Sequence, residues 1–224
     1  MTTFALITEG ITDQAVLEQI LDGLSNGDAT ITALRPRRDV TDASRVAEDE
    51  FSGWEKVFEF LQSKDIIKAV DTNDFVIIQI DVDDGEHKNF GLNLHDNSRK
   101  YKPILIIVEE CIEKLKASLH PDFPVSELGK LLFAIPVLNT ECWILSLKHV
   151  MNNNKGYRHT LKTIGGCYGR LDNFLQDKNF DKNYDFYSEL CKDFRKQKNI
   201  QAVAKRTPCL QHFVNQVNAA CPSF

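Results

Sequence analysis

Two familiar phosphate-binding signatures are missing from this 224-residue chain. It has no P-loop and no Rossmann glycine fingerprint, so a nucleotide cradled on a glycine-rich turn is not expected. No Ser-His-Asp or Cys-His pattern stands out either. The six cysteines, Cys111, Cys142, Cys167, Cys191, Cys209 and Cys221, have neither the close spacing of a zinc site nor the density of a disulfide frame. They read as reduced thiols of a cytoplasmic protein. The first residues form a short apolar run that meets Glu9 and Asp13, unlike a signal peptide. The later apolar runs are too short to cross a bilayer, so no membrane association is expected. Internal repeats and long low-complexity tracts are absent.

What remains has the composition of a soluble globular protein, with 42% hydrophobic and 26% charged residues. The length suits one large domain, or one domain with an appendage. The net charge of -5 is unevenly spread. Lys148 to Arg206 holds 13 Lys and Arg against 6 Asp and Glu, a balance of +7 that leaves -12 for the rest of the chain. Such a split suggests an acidic part and a basic part that meets a partner, nucleic acid among the candidates. The simpler reading is a solvated helical face.

The first half alternates between strand-like and helix-like segments. Phe4–Ile7 reads as a buried strand. Thr12 reads as an N-cap, with Ala15, Val16, Leu17, Ile20, Leu21 and Leu24 at helical spacing, and Gly23 or Gly27 as the stop. Thr30–Leu34 alternates as a second strand and is followed by Arg35, Arg37 and Arg38. Trp54, Val57, Phe58 and Leu61 repeat as a helix. Phe75–Ile80 is the plainest strand. Residues 84 to 99 are polar and read as a mobile loop. Pro103 opens a helix over Ile104–Leu119. Leu131–Val137 reads as a strand, and Thr140 as the cap of a helix through Leu147. This order predicts an α/β fold over 1–150. Residues 151–224 read as a basic, helical C-terminal region with no clear strand.

Carboxylates stand where three of these strands end. Glu9 and Gly10 follow the first, Asp81, Asp83 and Asp84 the third, and Glu141 the fourth. In a parallel sheet the carboxyl ends of neighbouring strands lie side by side, so these acids would converge on one crevice. Crowded carboxylates repel unless a cation joins them, and hard oxygen ligands suit Mg2+ or Mn2+. Asp81 and Asp83 would share one side of an extended segment. Each acid also has a simpler reading. Asp13 and Glu141 can serve a helix N-terminus, and the Asp81–Gly85 run can be a turn. His87 and His95, in the polar loop, read as surface histidines.

Glu9-Gly10-x-x-Asp13 after the first strand, with Asp81-x-Asp83 after a later one, resembles the Toprim signature. That family includes topoisomerases, DnaG-type primases and overcoming-lysogenization-defect (OLD) nucleases. Ile135-Pro136 through Thr140-Glu141-Cys142-Trp143 is also similar to small stand-alone Toprim-like proteins that accompany an ATPase in anti-phage systems. The resemblance covers roughly residues 4 to 147. It implies a Rossmann-like, mainly parallel sheet with helices on both faces. Glu9 would then be a general acid/base or a metal ligand, Asp81 and Asp83 ligands of Mg2+ (or Mn2+), Glu141 a further ligand and Asp13 a support. A downstream lysine is also implied, with Lys148, Lys155, Lys162 and Lys205 as candidates. The activity implied is a metal-dependent endonuclease or endoribonuclease with an ABC-type ATPase partner in antiviral defence, and the resemblance also implies pairing as a homodimer. Arg35, Arg37, Arg38, Lys155, Arg158, Lys162, Lys205 and Arg206 would hold the nucleic acid. Two other readings stand beside it. One is a non-catalytic nucleic-acid or protein-binding module. The other is a receiver-like phosphotransfer domain, which the early Glu9-Gly10 pair argues against.

Overall fold

The computed structural model describes residues 1–39, 42, 45–47, 51–153, 167–175, 183–222 and 224. Four strands, β1 (Thr2–Ile7), β2 (Ala29–Arg35), β3 (Phe75–Gln79) and β4 (Leu131–Ala134), form one sheet in the order β2-β1-β3-β4. Every pairing is parallel. Phe4 to Ile7, Val76 to Gln79 and all of β4 are buried, the near-continuous burial that a sheet covered on both faces requires. β2 carries partly exposed and exposed residues, in keeping with its place at the edge.

Helix α1 (Ile11–Ser25) links β1 to β2. Helices α2 (Trp54–Gln62) and α3 (Asp65–Thr72) lie between β2 and β3, and α4 (Ile104–Ala117) between β3 and β4. Right-handed crossovers leave β1 in one direction and β3 in the other, which puts α1 on one face and α2 to α4 on the opposite face. This reversal makes the carboxyl end of the β1–β3 seam the topological switch point of the sheet, where ligands of such folds sit.

The C-terminal stretch adds α5 (Glu141–Met151), α6 (Cys167–Leu175), α7 (Tyr184–Cys191), α8 (Gln197–Ala204) and α9 (Pro208–Ala220). Its Tyr187, Phe194, Ile200, Phe213 and Val217 belong to the same hydrophobic core as the sheet. Burying each such side chain contributes roughly 1.5–3 kcal/mol. Gly23 lets the C-terminal part dock. A Cβ there would stand 2.1 Å from the Phe194 carbonyl oxygen, so only glycine allows α1 to approach the turn at 192–195. Gly23 therefore does not stop α1. The helix ends at Ser25, and Asn26 and Gly27 follow in left-handed conformation.

Several local expectations change. Helix α1 begins at Ile11 with Gly10, not Thr12, at the N-cap. Helix α3, eight residues long with Ile66, Ala69 and Val70 on its buried side, has no counterpart in the sequence reading. The polar segment 84–99 is anchored, because Phe90, Leu92 and Leu94 enter the core. The expectation of six reduced thiols is corrected. Cys142 and Cys167 form a disulfide with Cα atoms 5.1 Å apart, while Cys111, Cys191, Cys209 and Cys221 are free and buried. Their separation of 25 residues matches no compact spacing pattern; it is the packing of α5 against α6 that brings the two together. Among the described residues no helix is long and apolar enough to cross a membrane.

Candidate functional site

Glu9 and Asp81 follow β1 and β3 directly and meet at the switch point. The Asp81 backbone N–H donates to Glu9 Oε2 at 3.2 Å. Gln79, fully buried at the end of β3, joins the two strand ends. Its Oε1 accepts from the Glu9 backbone N–H at 2.9 Å, and its Nε2 donates to Asp81 Oδ1 at 2.8 Å. Val82 is buried and its N–H donates to the Leu138 carbonyl at 2.9 Å, tying the chain after β3 to the chain after β4. With Ile80 and Val82 in the core, Asp81 and Asp83 take the other side of the segment. Asp81 is half-buried and Asp83 exposed. Gly85 N–H bonds the Val82 carbonyl and turns the chain after Asp84.

Two further acids enter from helix starts. Asp13, at the third position of α1, accepts from the Gly10 N–H at 2.9 Å and from the Thr140 hydroxyl at 2.6 Å. Thr140 thus spends its hydroxyl on Asp13 rather than on capping α5. Glu141, the first residue of α5, accepts from the Tyr187 hydroxyl at 2.7 Å. Both carboxylates are buried. Gly10 is extended, with φ -140, so the turn does not need glycine for a left-handed conformation.

The electrostatics follow from the crowding. Burial, then the charge of Asp13, pushes Glu9 up to about 8, aided by Asp83 and Asp84 and opposed by the Asp81 N–H. Burial raises Asp81 well above the usual carboxylate range, with Asp13, Glu9, Glu141 and Asp83 adding to it. Asp83 is raised by burial and then by Asp84, with Glu141 contributing less. Asp81 thus feels the charge of each of the four other predicted acids. Among the described residues, however, no group of three or more His, Cys, Asp and Glu is arranged to hold a metal ion as it stands. Two of the acids are engaged by hydroxyls and one by an amide. The donor chemistry nonetheless fits a hard cation, since an all-carboxylate set that holds protons against its ordinary affinity will exchange them for positive charge.

Among the described residues the predicted basic side chains do not gather in one place. Arg35 ends β2 in register with Ile7, two residues before Glu9, and its guanidinium donates to the Phe51 carbonyl at 3.0 Å. Arg37 is exposed nearby and lines the same cleft as Arg35. Arg38 instead pairs with Glu18 of α1 and lies 4.2 Å over the Tyr184 ring. Lys205 and Arg206 stand between α8 and α9. Arg206 lies close enough to His149 that its charge, after burial, lowers that imidazole. His149 is eight residues past Glu141, about 12 Å along α5. Lys148 donates to the Leu190 carbonyl at 2.6 Å, clamping α5 to α7 rather than reaching the acids. Lys155, Arg158 and Lys162 lie outside the described residues. His87 packs beside Trp54, and His95 pairs with Glu86 at 2.6 Å, both in the loop after the acids.

Sequence reasoning missed Gln79 and Tyr187; Thr140 stands at the N-cap of α5 as read, but its hydroxyl makes no capping bond and goes to Asp13 instead. Gln79 left a trace, a lone amide inside an otherwise apolar strand that has to find partners. Tyr187 left none, because its partner is 46 residues away. Comparison of the chain with protein-family models, with curated proteins and with solved structures finds no significant match.

Proposed function

We propose that the chain is a Mg2+-dependent nuclease of the Toprim type, hydrolysing phosphodiesters of DNA or RNA. The observation that carries the reading is the meeting of Glu9 and Asp81 at the sheet's switch point, with Glu9 raised to about 8 and Asp81 raised well above its ordinary value. Glu9, Asp81, Asp83 and Glu141 would hold Mg2+ (or Mn2+). Bound there, the cation would offset the carboxylate charge and the charge that grows on the phosphate oxygens. Glu9 has a proton affinity near neutral, the range in which a carboxyl can hold or release a proton for a reacting oxygen. Gln79 fixes the backbone of Glu9 and the carboxylate of Asp81 together. Asp13 braces the Gly10 turn and links it to Thr140.

The test is incubation of wild-type chain and the Asp81→Ala, Asp83→Ala double variant with plasmid DNA, single-stranded DNA and tRNA, each with Mg2+, Mn2+ or EDTA. Metal-dependent cutting lost in the variant is expected. Cutting that persists in the variant overturns the assignment. The Toprim resemblance extends the proposal to an ATPase partner and a role in antiviral defence, which co-purification of such an ATPase would support.

One observation favours a second reading, a non-catalytic binding module. Hydroxyl donors already satisfy Asp13 and Glu141, and no three-ligand group stands assembled among the described residues. Absence of turnover on every substrate, together with no rise in melting temperature on adding Mg2+ or Mn2+, would select it.

A further inference from the structure

The three acids that follow the strands β1 and β3 share a pattern. Each gives one carboxylate oxygen to an N–H of the protein. Glu9 Oε2 accepts from the Asp81 backbone N–H at 3.2 Å, Asp81 Oδ1 from Gln79 Nε2 at 2.8 Å, and Asp83 Oδ1 from the Asp84 backbone N–H at 3.0 Å. Among the described residues no donor reaches the second oxygen of any of the three. None of these second oxygens is an enclosed orphan, so all three open toward solvent. For Glu9 and Asp83 the engaged oxygen faces main chain. For Asp81 it faces a side chain that cannot turn away, because Gln79 is fully buried and its Oε1 is held by the Glu9 N–H at 2.9 Å. A cation that sought both oxygens of Asp81 would meet the amide hydrogen on one of them.

We infer that Gln79 is a positioning residue that sets the metal selectivity of this site, holding Asp81 to coordination through one oxygen and so favouring Mg2+ over Ca2+. Mg2+ takes about six oxygens at roughly 2.0–2.1 Å and fills much of its shell with water, whereas Ca2+ gathers about 6–8 at roughly 2.3–2.6 Å and readily takes both oxygens of a carboxylate. Acids that offer one oxygen each suit the first shell and fall short of the second. The inference rests on the metal site proposed above, but its measurement needs no turnover.

The experiment is calorimetric titration of the metal-stripped full chain with MgCl2 or CaCl2, at one pH and one ionic strength. The wild type should bind Mg2+ more tightly. Gln79→Met, of similar volume and without the amide, should weaken Mg2+ by about 10-fold or more, the size expected when a partner of a metal ligand is lost. Ca2+ should lose less, because Asp81 Oδ1 is released to it, so the ratio of the two affinities falls. A merely structural defect would weaken both ions alike and leave the ratio unchanged. Infrared difference spectra of the wild type give a readout that needs no variant. The antisymmetric and symmetric carboxylate stretches lie further apart for one-oxygen than for two-oxygen coordination, and the wide separation is expected with Mg2+. Equal affinity of the wild type for the two ions, an unchanged ratio in Gln79→Met, or a narrow separation with Mg2+ would each overturn the role of Gln79 and leave the nuclease reading standing. No binding of either ion by the wild type would overturn both. The expected shift in ratio, in a chain that never cuts, would uphold the role of Gln79 while the nuclease reading fails.

Discussion

At the strand ends, Glu9 and Asp81 face each other across the β1–β3 seam, supported by one amide and one backbone N–H. At the helix starts, Asp13 and Glu141 are buried deeper, yet each receives a hydroxyl, from Thr140 and Tyr187. The strand-end pair is driven toward holding protons, by burial and by the charges around it. The helix-start pair is built into the scaffold by contacts that cross the whole fold, Thr140 reaching 127 residues back and Tyr187 46. The difference separates a reactive half from a supporting half within one acidic cluster. A carboxylate supplied with its own donor stabilises the fold; one left facing other carboxylates is available to a proton or a cation.

The largest expected effect is at Asp81. Asp81→Asn keeps an oxygen for the Gln79 amide and removes only the charge. Metal-dependent cleavage should fall by ~100-fold or more. Without metal the variant should melt higher than wild type, because repulsion with Glu9 and Asp13 is relieved. Mg2+ should raise the melting temperature of the wild type and not of the variant. A variant that melts lower in EDTA would place Asp81 in the supporting half and break the comparison.

The supporting half is also held covalently. Cys142 follows Glu141 in the first turn of α5, and its bond to Cys167 closes a 25-residue separation. Replacing both cysteines with alanine should lower the unfolding free energy in urea by about 2–4 kcal/mol. Dithiothreitol should do the same to the wild type. Equal urea midpoints with and without the bond would show that α5 is positioned by packing alone.

Next in size come the hydroxyls. Tyr187→Phe and Thr140→Val keep nearly the same shape and each leave a buried carboxylate oxygen without its donor. Each should cost about 1–3 kcal/mol in denaturant unfolding, with or without Mg2+. Removing Glu9 by Glu9→Gln should not carry this cost. A similar loss in all three variants would erase the distinction between the halves.

How far the sequence could be read depends on the range of the interaction. Three of the four strands announce themselves because burial on both faces demands unbroken apolar runs, as in Phe75–Ile80 and Phe4–Ile7, while the edge strand β2 shows itself by alternation. The acids follow those runs directly, so their place at the sheet's carboxyl edge was legible as well. Helix α3 was not, because eight residues with three buried positions give too short a period to separate from a loop. The segment 84–99 misled through its polar majority, although Phe90, Leu92 and Leu94 fix it to the core. Thr140 was legible as the N-cap of α5, but the partner of its hydroxyl, Asp13, lies on α1, 127 residues away. Tyr187 is one aromatic among many in a helical stretch, and nothing local tells which of them meets Glu141. Arg38, next to Arg35 and Arg37 in sequence, is drawn instead to Glu18 and Tyr184.

The pH dependence is the sharpest test of sign. Glu9 is raised from about 4.5 in an open chain to about 8 in the folded protein. Below the lower value both states carry the proton, and Glu9 makes the fold no less stable. As pH rises through the window the unfolded chain releases its proton while the folded chain retains it, so stability is lost progressively up to about pH 8 and no further beyond it. Asp81, raised in the same direction, adds to the fall. The wild-type melting temperature in EDTA should therefore drop between pH 5 and 8 relative to Glu9→Gln, by about 2–4 °C for each kcal/mol in a chain of this size. Saturating Mg2+ should flatten the wild-type curve, since the cation then takes the place of the proton. Parallel curves for wild type and variant would mean that Glu9 is not crowded by its neighbours, and the reactive half would lose its defining property.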